Sequence, residues 1–452
     1  MLKRILWTSL VVGALIATGA ATAKSPATLA GLGCHAGAYR LIDGSVVSIV
    51  ASTTDDRFLR YRFADGRTGR MYAAPGGGFV GGPGWDSKGP PLVASLMGPC
   101  ATATPVGRFP GTAEGPAEKI PLRISEFRFD SGGTSLRALL VQPAAIGPAP
   151  LVVMVHGSET HSAVRGSTEP YLLAAQGIAV LVYDKRGTGL SHGRYTQDFD
   201  QLAGDVAAVV TEGRRRLGVE AAQVGLWGQS QGGWVAPLAA GRVPIDFVVV
   251  GYGLAQSPLD EDAEEVQFAL GRAGFDAASL ADARLVTNAT GEVIASGFTR
   301  GFEELKAVKA RFGKASWFRK IDGEFSGQIL RTPPLLLRTF GRSRVSGTPW
   351  RHDPLPVLRK LPTPMLWVLA QDDDEAPSAP TLARLRALQK EGRPIDIALF
   401  PGTTHGMIRF TEKPGGERVN LSDAPGYIPV VIDWIRTRKI VGGADRIAMP
   451  RL

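Results

Sequence analysis

From residue 151 to residue 250 the chain repeats one pattern, in which a short apolar run rich in β-branched residues is followed by a longer stretch with helical spacing. The runs are Leu151-Val-Val-Met-Val-His156, Ile178 to Tyr183, Val224 to Gly228 and Phe247 to Val250; Tyr171 to Gln176, Gln201 to Leu217 and Gln231 to Ala240 are the helical stretches. Strands that are apolar on both faces need cover on both faces, which a parallel sheet with helices on either side supplies. The rhythm resumes at Pro364 to Leu369, a helix from Ala379 to Gln389, the run Ile395 to Phe400 and a last helix from Ile428 to Arg438. The expected fold is therefore α/β, a mostly parallel sheet in two parts, 122–252 and 362–452, with Leu122 to Phe129 and Leu136 to Val141 as a leading pair of strands.

Between the two parts, over 253–361, the strand rhythm stops and charged, helical sequence takes over. Insertions at the carboxyl ends of strands in such sheets sit above the ligand crevice, so this segment is expected to be a helical lid. In front of the sheet, residues 24–105 carry short alternating runs such as Val46 to Val50 and Phe58 to Phe63, punctuated by Asp43-Gly44 and Asp65-Gly66. That is the pattern of a small antiparallel β module. Residues 106–121, rich in Gly, Pro and Ala, are expected to be a linker.

The first 23 residues have the form of a signal peptide: Lys3-Arg4, an apolar stretch from Ile5 to Ala17, then small residues up to Ala23. An exported chain, periplasmic or secreted and without an integral membrane span after cleavage, is the expectation. Cys34 and Cys100 are the two cysteines, and in an oxidising compartment such a pair is expected to bond and staple the β module. The formal net charge of +9 is spread over singly placed Lys and Arg, with no basic stripe or module for nucleic acid. Metal and cofactor chemistry find no motif either: His156 and His161 lack the spacing of a zinc helix, and Gly187 and Gly189 have no third glycine. No metal and no cofactor are expected, and oligomeric state is not legible.

Gly228-Gln-Ser-Gln-Gly232 fits G-x-S-x-G, between an expected strand and an expected helix. In that setting the glycines allow a sharp turn that lifts the Ser230 hydroxyl off the sheet, as a nucleophile requires. Six histidines are available as its base: His35, His156, His161, His192, His352 and His405. His405 follows the strand Ile395 to Phe400, at the sheet edge where Ser230 stands. An orienting acid is expected from Asp372, Asp373 or Asp374, which follow the strand Met365 to Ala370.

Together with Val153-Met-Val-His-Gly-Ser158 and Tyr183-Asp-Lys-Arg-Gly-Thr-Gly-Leu-Ser191, these motifs make residues 122–440 resemble the α/β-hydrolase family, in its branch of exported bacterial serine hydrolases similar to serine aminopeptidases and esterases. The resemblance implies Ser230 as nucleophile, His405 as general base and Asp373 as the acid, because the family's acid loop matches Ala370 to Pro377 with Asp373 in register. It also implies an oxyanion hole from the backbone N–H groups of Gln231 and Ser158, with Glu159 standing where relatives often have Gly. Arg186 is expected to pin neighbouring loops. The implied substrate is a small carboxylic ester; the alternatives are a short peptide, with Asp260, Glu261, Asp262, Glu264 and Glu265 at the lid's start as candidates for holding an amino group, and a binding protein without catalysis.

Overall fold

The computed structural model describes residues 32–53, 57–74, 78–82, 92–98, 104–218 and 221–440. The expected signal peptide and Cys100 lie outside them; Cys34 lies within. The first nine strands are β1 (Gly37–Arg40), β2 (Val46–Ala51), β3 (Phe58–Phe63), β4 (Thr68–Ala73), β5 (Phe79–Gly81), β6 (Ala94–Met97), β7 (Val106–Arg108), β8 (Gly115–Pro116) and β9 (Glu118–Lys119). They pair antiparallel in the order β8-β7-β6-β5-β4-β3-β2-β1-β9. The two end strands are separated in the chain by Ala117 alone, so one short segment hydrogen-bonds to β7 on one side and to β1 on the other and closes the sheet into a barrel. Tyr61, Phe63 and Phe109 pack edge to face in its interior, with Val47, Ile49, Leu59 and Met71 around them.

Residues 106–119 are thus part of the module, which corrects the expectation of a linker over 106–121 and of a module ending at 105. The strands there are two or three residues long and interrupted by Gly and Pro, too short to show a period. β7 and β8 pair with each other as a short hairpin, and the segment is tied into the sheet on its other sides by β6 and β1, which come from elsewhere in the chain.

The second sheet runs β10 (Leu122–Ser131), β11 (Thr134–Pro143), β13 (Ala179–Tyr183), β12 (Ala149–Val155), β14 (Ala221–Gln229), β15 (Phe247–Gly251), β16 (Met365–Ala370) and β17 (Ile395–Phe400) in that spatial order. β10 and β11 form an antiparallel hairpin joined antiparallel to β13, and every pair from β13 onward is parallel. Alternate residues feed two cores. Leu151, Val153 and Val155 face α3 (Phe199–Leu217), α4 (Gly232–Ala240) and α11 (Ser378–Lys390), while Val152, Met154, Val180 and Val182 face α1 (Ala163–Gly166), α2 (Glu169–Ala174) and α12 (Tyr427–Thr437). This is the α/β-hydrolase arrangement, a mostly parallel sheet with helices on both faces.

Between β15 and β16 the chain forms helices α5 (Pro258–Arg272), α6 (Ala277–Ala295), α7 (Phe302–Phe312), α8 (Ser326–Arg331), α9 (Pro334–Phe340) and α10 (Leu355–Lys360). All but α10 share an apolar cluster of their own, including Val286, Phe302, Phe312 and Phe325. After β17 a small antiparallel sheet, β18 (Thr403–Thr404), β19 (Ile408–Glu412) and β20 (Arg418–Asp423), was not foreseen from the sequence.

Two glycines hold the β14–α4 turn together by close approach. A Cβ on Gly228 would lie 2.2 Å from the Gly232 carbonyl oxygen, and one on Gly232 would lie 2.1 Å from the Val155 carbonyl oxygen, backbone that cannot yield. Gly232→Ala is therefore expected to cost about 1–3 kcal/mol. Gly271→Ala, in open space within α5, is expected to be neutral or mildly stabilising. Thermal unfolding of the two variants checks this, and equal melting temperatures would show that the turn is not so constrained.

Candidate active site

Four neighbouring parallel strands present their carboxyl ends at one edge. β14 ends at Gln229 and delivers Ser230, β16 is followed by the acid loop, and β17 by the loop with His405. Ser230 has φ +50°, in the left-handed region where a non-glycine residue is strained. Two backbone bonds retain it there: Ser230 N–H donates to the Gly251 carbonyl at 3.0 Å, and Gly233 N–H donates to the Ser230 carbonyl at 2.7 Å. The outcome is a hydroxyl raised above the sheet, 3.1 Å from Nε2 of His405.

On the other side of the imidazole, Nδ1 lies 3.0 and 3.2 Å from the two carboxylate oxygens of Asp373. Asp373, 1% exposed, also accepts hydrogen bonds from the N–H groups of Glu375 and Ala376 at 3.1 and 2.8 Å. Its neighbours are engaged elsewhere: Asp372 accepts from Gly402 N–H at 2.9 Å, and Asp374 accepts from the Thr404 hydroxyl. Asp372 N–H donates to the Thr403 carbonyl at 3.0 Å, joining the acid loop to the histidine loop directly.

Burial disfavours a charge on His405, but Asp373, Glu375 and Glu261 outweigh it and raise the imidazole to about 10. A serine hydroxyl, a histidine and a buried carboxylate in this line can pass a proton from the hydroxyl to Nε2 while the carboxylate holds the other ring nitrogen.

Ser158 and Gln231, the residues expected to supply oxyanion donors, line the same pocket as Ser230. The 156–158 turn runs against the serine: a Cβ on Gly157 would lie 3.2 Å from the Ser230 Cβ. Behind this turn is a polar cluster that sequence reasoning passed over. Lys185 Nζ donates to the Gly157 carbonyl and Tyr195 hydroxyl to the Ser158 carbonyl, each at 2.5 Å. Glu159 lies 3.2 Å from Nδ1 of His156. Burial lowers the Lys185 ammonium to about 8, partly countered by Glu159. Burial also works against the Glu159 carboxylate, yet His156 and Lys185 hold it well below the usual range. Arg186 grips Asp205 with two nitrogens, at 2.8 and 2.5 Å, and Ser131 on β10 donates to the same carboxylate.

The insertion between β15 and β16 and the acid loop line the pocket with acids. Glu261 from α5, Glu324 before α8 and Glu375 from the acid loop line it together with Trp234 and Trp350. Burial and the charges of Glu324 and Glu375 push the Glu261 carboxyl well above its ordinary value. Three of the other acids at the start of α5 have structural partners: Asp260 forms the capping box with Ser257, Asp262 accepts from the N–H groups of Phe325 and Ser326, and Glu264 pairs with Arg284; Glu265 is buried on the same helix. Among the described residues no group of three or more His, Cys, Asp or Glu side chains is arranged to hold a metal ion, and no helix is long and apolar enough to cross a membrane.

Residues 147–252, which contain β12, the Lys185 loop and the Ser230 turn, match the family model of the serine aminopeptidases, S33. Over that segment the chain is similar to this hydrolase family. No curated protein sequence matches it. Among solved structures, the chain is similar to an acylaminoacyl peptidase of Pyrococcus horikoshii, at 16% identity and a TM-score of 0.44 over 89% of this chain and 58% of that one. An esterase of Pyrococcus furiosus aligns at 15% identity and 0.39 over 63% of this chain and 84% of its own. The esterase Est1E of Butyrivibrio proteoclasticus, solved with ferulic acid bound, aligns at 17% and 0.40 over 69% and 96%. The chain thus spans little more than half the length of the acylaminoacyl peptidase.

Because His405 is raised from 6.5 to about 10, the stability contributed by its charged form is complete below about pH 6.5 and is lost as pH rises through about 10. Proton acceptance needs the neutral imidazole, so kcat/KM for an activated ester is expected to climb through the alkaline range. Glu375 Oε1 lies 3.8 Å from Nε2, and Glu375→Gln is expected to move that climb to lower pH. Superimposable pH–rate profiles for parent and variant would contradict this account of the imidazole's environment.

Proposed function

We propose that the protein hydrolyses small carboxylic esters through an acyl-enzyme on Ser230. The observation that carries the reading is the 3.1 Å contact between Ser230 Oγ and His405 Nε2, with Asp373 at 3.0 Å on the far side of the ring. Ser230 Oγ attacks the acyl carbonyl carbon while its proton passes to His405 Nε2, and Asp373 stabilises the imidazolium. Backbone N–H groups of Gln231 and Ser158 receive the developing oxyanion; one such donor is typically worth about 3–4 kcal/mol of transition-state stabilisation. Collapse of the tetrahedral intermediate expels the alcohol, which takes the proton from Nε2. Water then repeats the sequence on the acyl-serine, giving up its proton to Nε2, and the acid departs as Ser230 is re-protonated.

A second reading, a peptidase of the aminopeptidase type, is favoured by the carboxylates of Glu261, Glu324 and Glu375 lining the pocket of Ser230. An ammonium group there would neutralise a wall on which like charges now push Glu261 toward its protonated form. The leaving group would then be an amine, protonated by His405 as the alcohol is in the first reading. Two of these acids, Glu375 and Glu261, also raise the His405 imidazole, so they have a role in either case.

The deciding experiment labels the protein with a fluorophosphonate and compares turnover of short acyl esters with that of aminoacyl amides. Ser230→Ala is expected to lose both labelling and turnover, and Asp373→Asn to lower kcat by roughly four orders of magnitude, with Asp372→Asn and Asp374→Asn much less affected. Loss at Asp372 or Asp374 in place of Asp373 would move the acid by one residue; undiminished turnover by Ser230→Ala would remove the mechanism. A preference for aminoacyl amides that disappears in Glu261→Gln would select the peptidase reading.

A further inference from the structure

We propose that Arg62, a residue of the N-terminal barrel, is a positioning residue for His405, so that the barrel forms the rear support of the active site; the inference rests on His405 being the general base. Arg62 is on β3, is 9% exposed and points out of the barrel into the hydrolase core. Its guanidinium meets two carboxylates. Nη1 is 2.5 Å from Glu169 Oε1 on α2, and Nε pairs with Asp423, the last residue of β20. Arg60, two residues earlier on the same face of β3, lies in the field of the same two acids, so two cations and two carboxylates share the cluster.

From Asp423 the path to the site is short. Asp423 pairs with Ile408 across β19 and β20, and its N–H donates to the Gly66 carbonyl in the β3–β4 turn at 3.1 Å. The next residue, Ala424, donates to the carbonyl of Met407 at 2.8 Å. Met407, fully buried, is only two residues beyond His405 and is held at φ +62°. The loop bearing the imidazole is thus fastened on its far side to a strand end that Arg62 and the barrel turn hold from below. The ring itself rests on Tyr252, with centroids 5.0 Å apart and the planes nearly perpendicular. Burial keeps the Tyr252 hydroxyl protonated, and Tyr427, Glu169 and Arg62 lie in its electrostatic surroundings. The cluster therefore backs both the loop and the ring.

Attachment of the barrel does not require these charges. Ala38 and Val50 already join the apolar core on that face, and Ser48 donates to the Thr168 carbonyl at 2.9 Å. Buried ion pairs bring little net stability over apolar packing of similar volume, because desolvation offsets the attraction. What they add is direction: a planar guanidinium with two carboxylates at fixed angles sets where β20 lies relative to β3.

The geometry separates two arms of the cluster, one to α2 through Glu169 and one to the histidine hairpin through Asp423. Asp423→Asn is expected to lower kcat and the rate of fluorophosphonate labelling on the order of ten- to hundredfold, with KM nearly unchanged. Glu169→Gln, which cuts only the arm to α2, should keep kcat within about twofold of the parent. If Asp423→Asn does not fold, the double variant Arg62→Met with Asp423→Leu replaces the pair by apolar packing and should fold yet remain slow. Parent-like kcat in a folded Asp423→Asn or in the double variant would overturn the proposal, as would equal kcat losses in Asp423→Asn and Glu169→Gln. Full turnover by His405→Ala would instead remove the underlying reading, an outcome separate from either.

Discussion

The contact between the first residue of α4 and the last carbonyl of β12 is the constraint on which the site depends. With Gly232 pressed against Val155, the turn after β14 is too tight for ordinary backbone angles, and Ser230 is forced to φ +50°. The same tightness brings Gly157 against the serine and aligns the start of α4 behind it. Strain at one residue and close backbone approach at two glycines are thus one feature seen from three sides, and the surrounding sheet supplies the rigidity that maintains it.

The core was legible in the sequence because strands buried on both faces leave an unmistakable apolar signature, and Ser230 and His405 because each follows such a strand at a definite offset. The aspartate needed more than offset. All three carboxylates of the acid loop are at the correct edge, and they differ in what the folded loop gives them: Gly402 for Asp372, Thr404 for Asp374, the imidazole for Asp373. Strands β7 to β9 were illegible because two or three residues cannot display a period, and residues that close a barrel are defined by partners rather than by composition. The acids of the insertion show the same limit. Asp260, Glu261, Asp262 and Glu264 read alike along α5, yet a cap, a loop backbone and an arginine claim three of them and leave Glu261 facing the serine. Its companions Glu324 and Glu375 come from segments far along the chain. No local pattern could have assembled them.

The pocket is electrically lopsided. Acids of the insertion and acid loop line the pocket of Ser230, and behind the 156–158 turn a lysine, itself buried, grips the Gly157 carbonyl. Asp373 and Glu375 favour a proton on His405, whereas the Lys185 contact draws electron density from the 157–158 peptide and leaves its N–H a better donor. The surroundings of the imidazole and of the 157–158 peptide are therefore set by different elements, the first by the acid loop and the insertion and the second by the loop after β13.

Barrel and core are joined with almost no slack. β9 ends at Lys119 and β10 begins at Leu122, so Ile120 and Pro121 are the whole connection, and Ile120 is itself hydrogen-bonded back to Ala38. A tether of that length, stiffened by a proline, gives the barrel no arc through which to swing. The two bodies must move as one, and the barrel cannot be exchanged like a cassette for another domain. An insertion tolerated in a surface loop would here displace the barrel against the core.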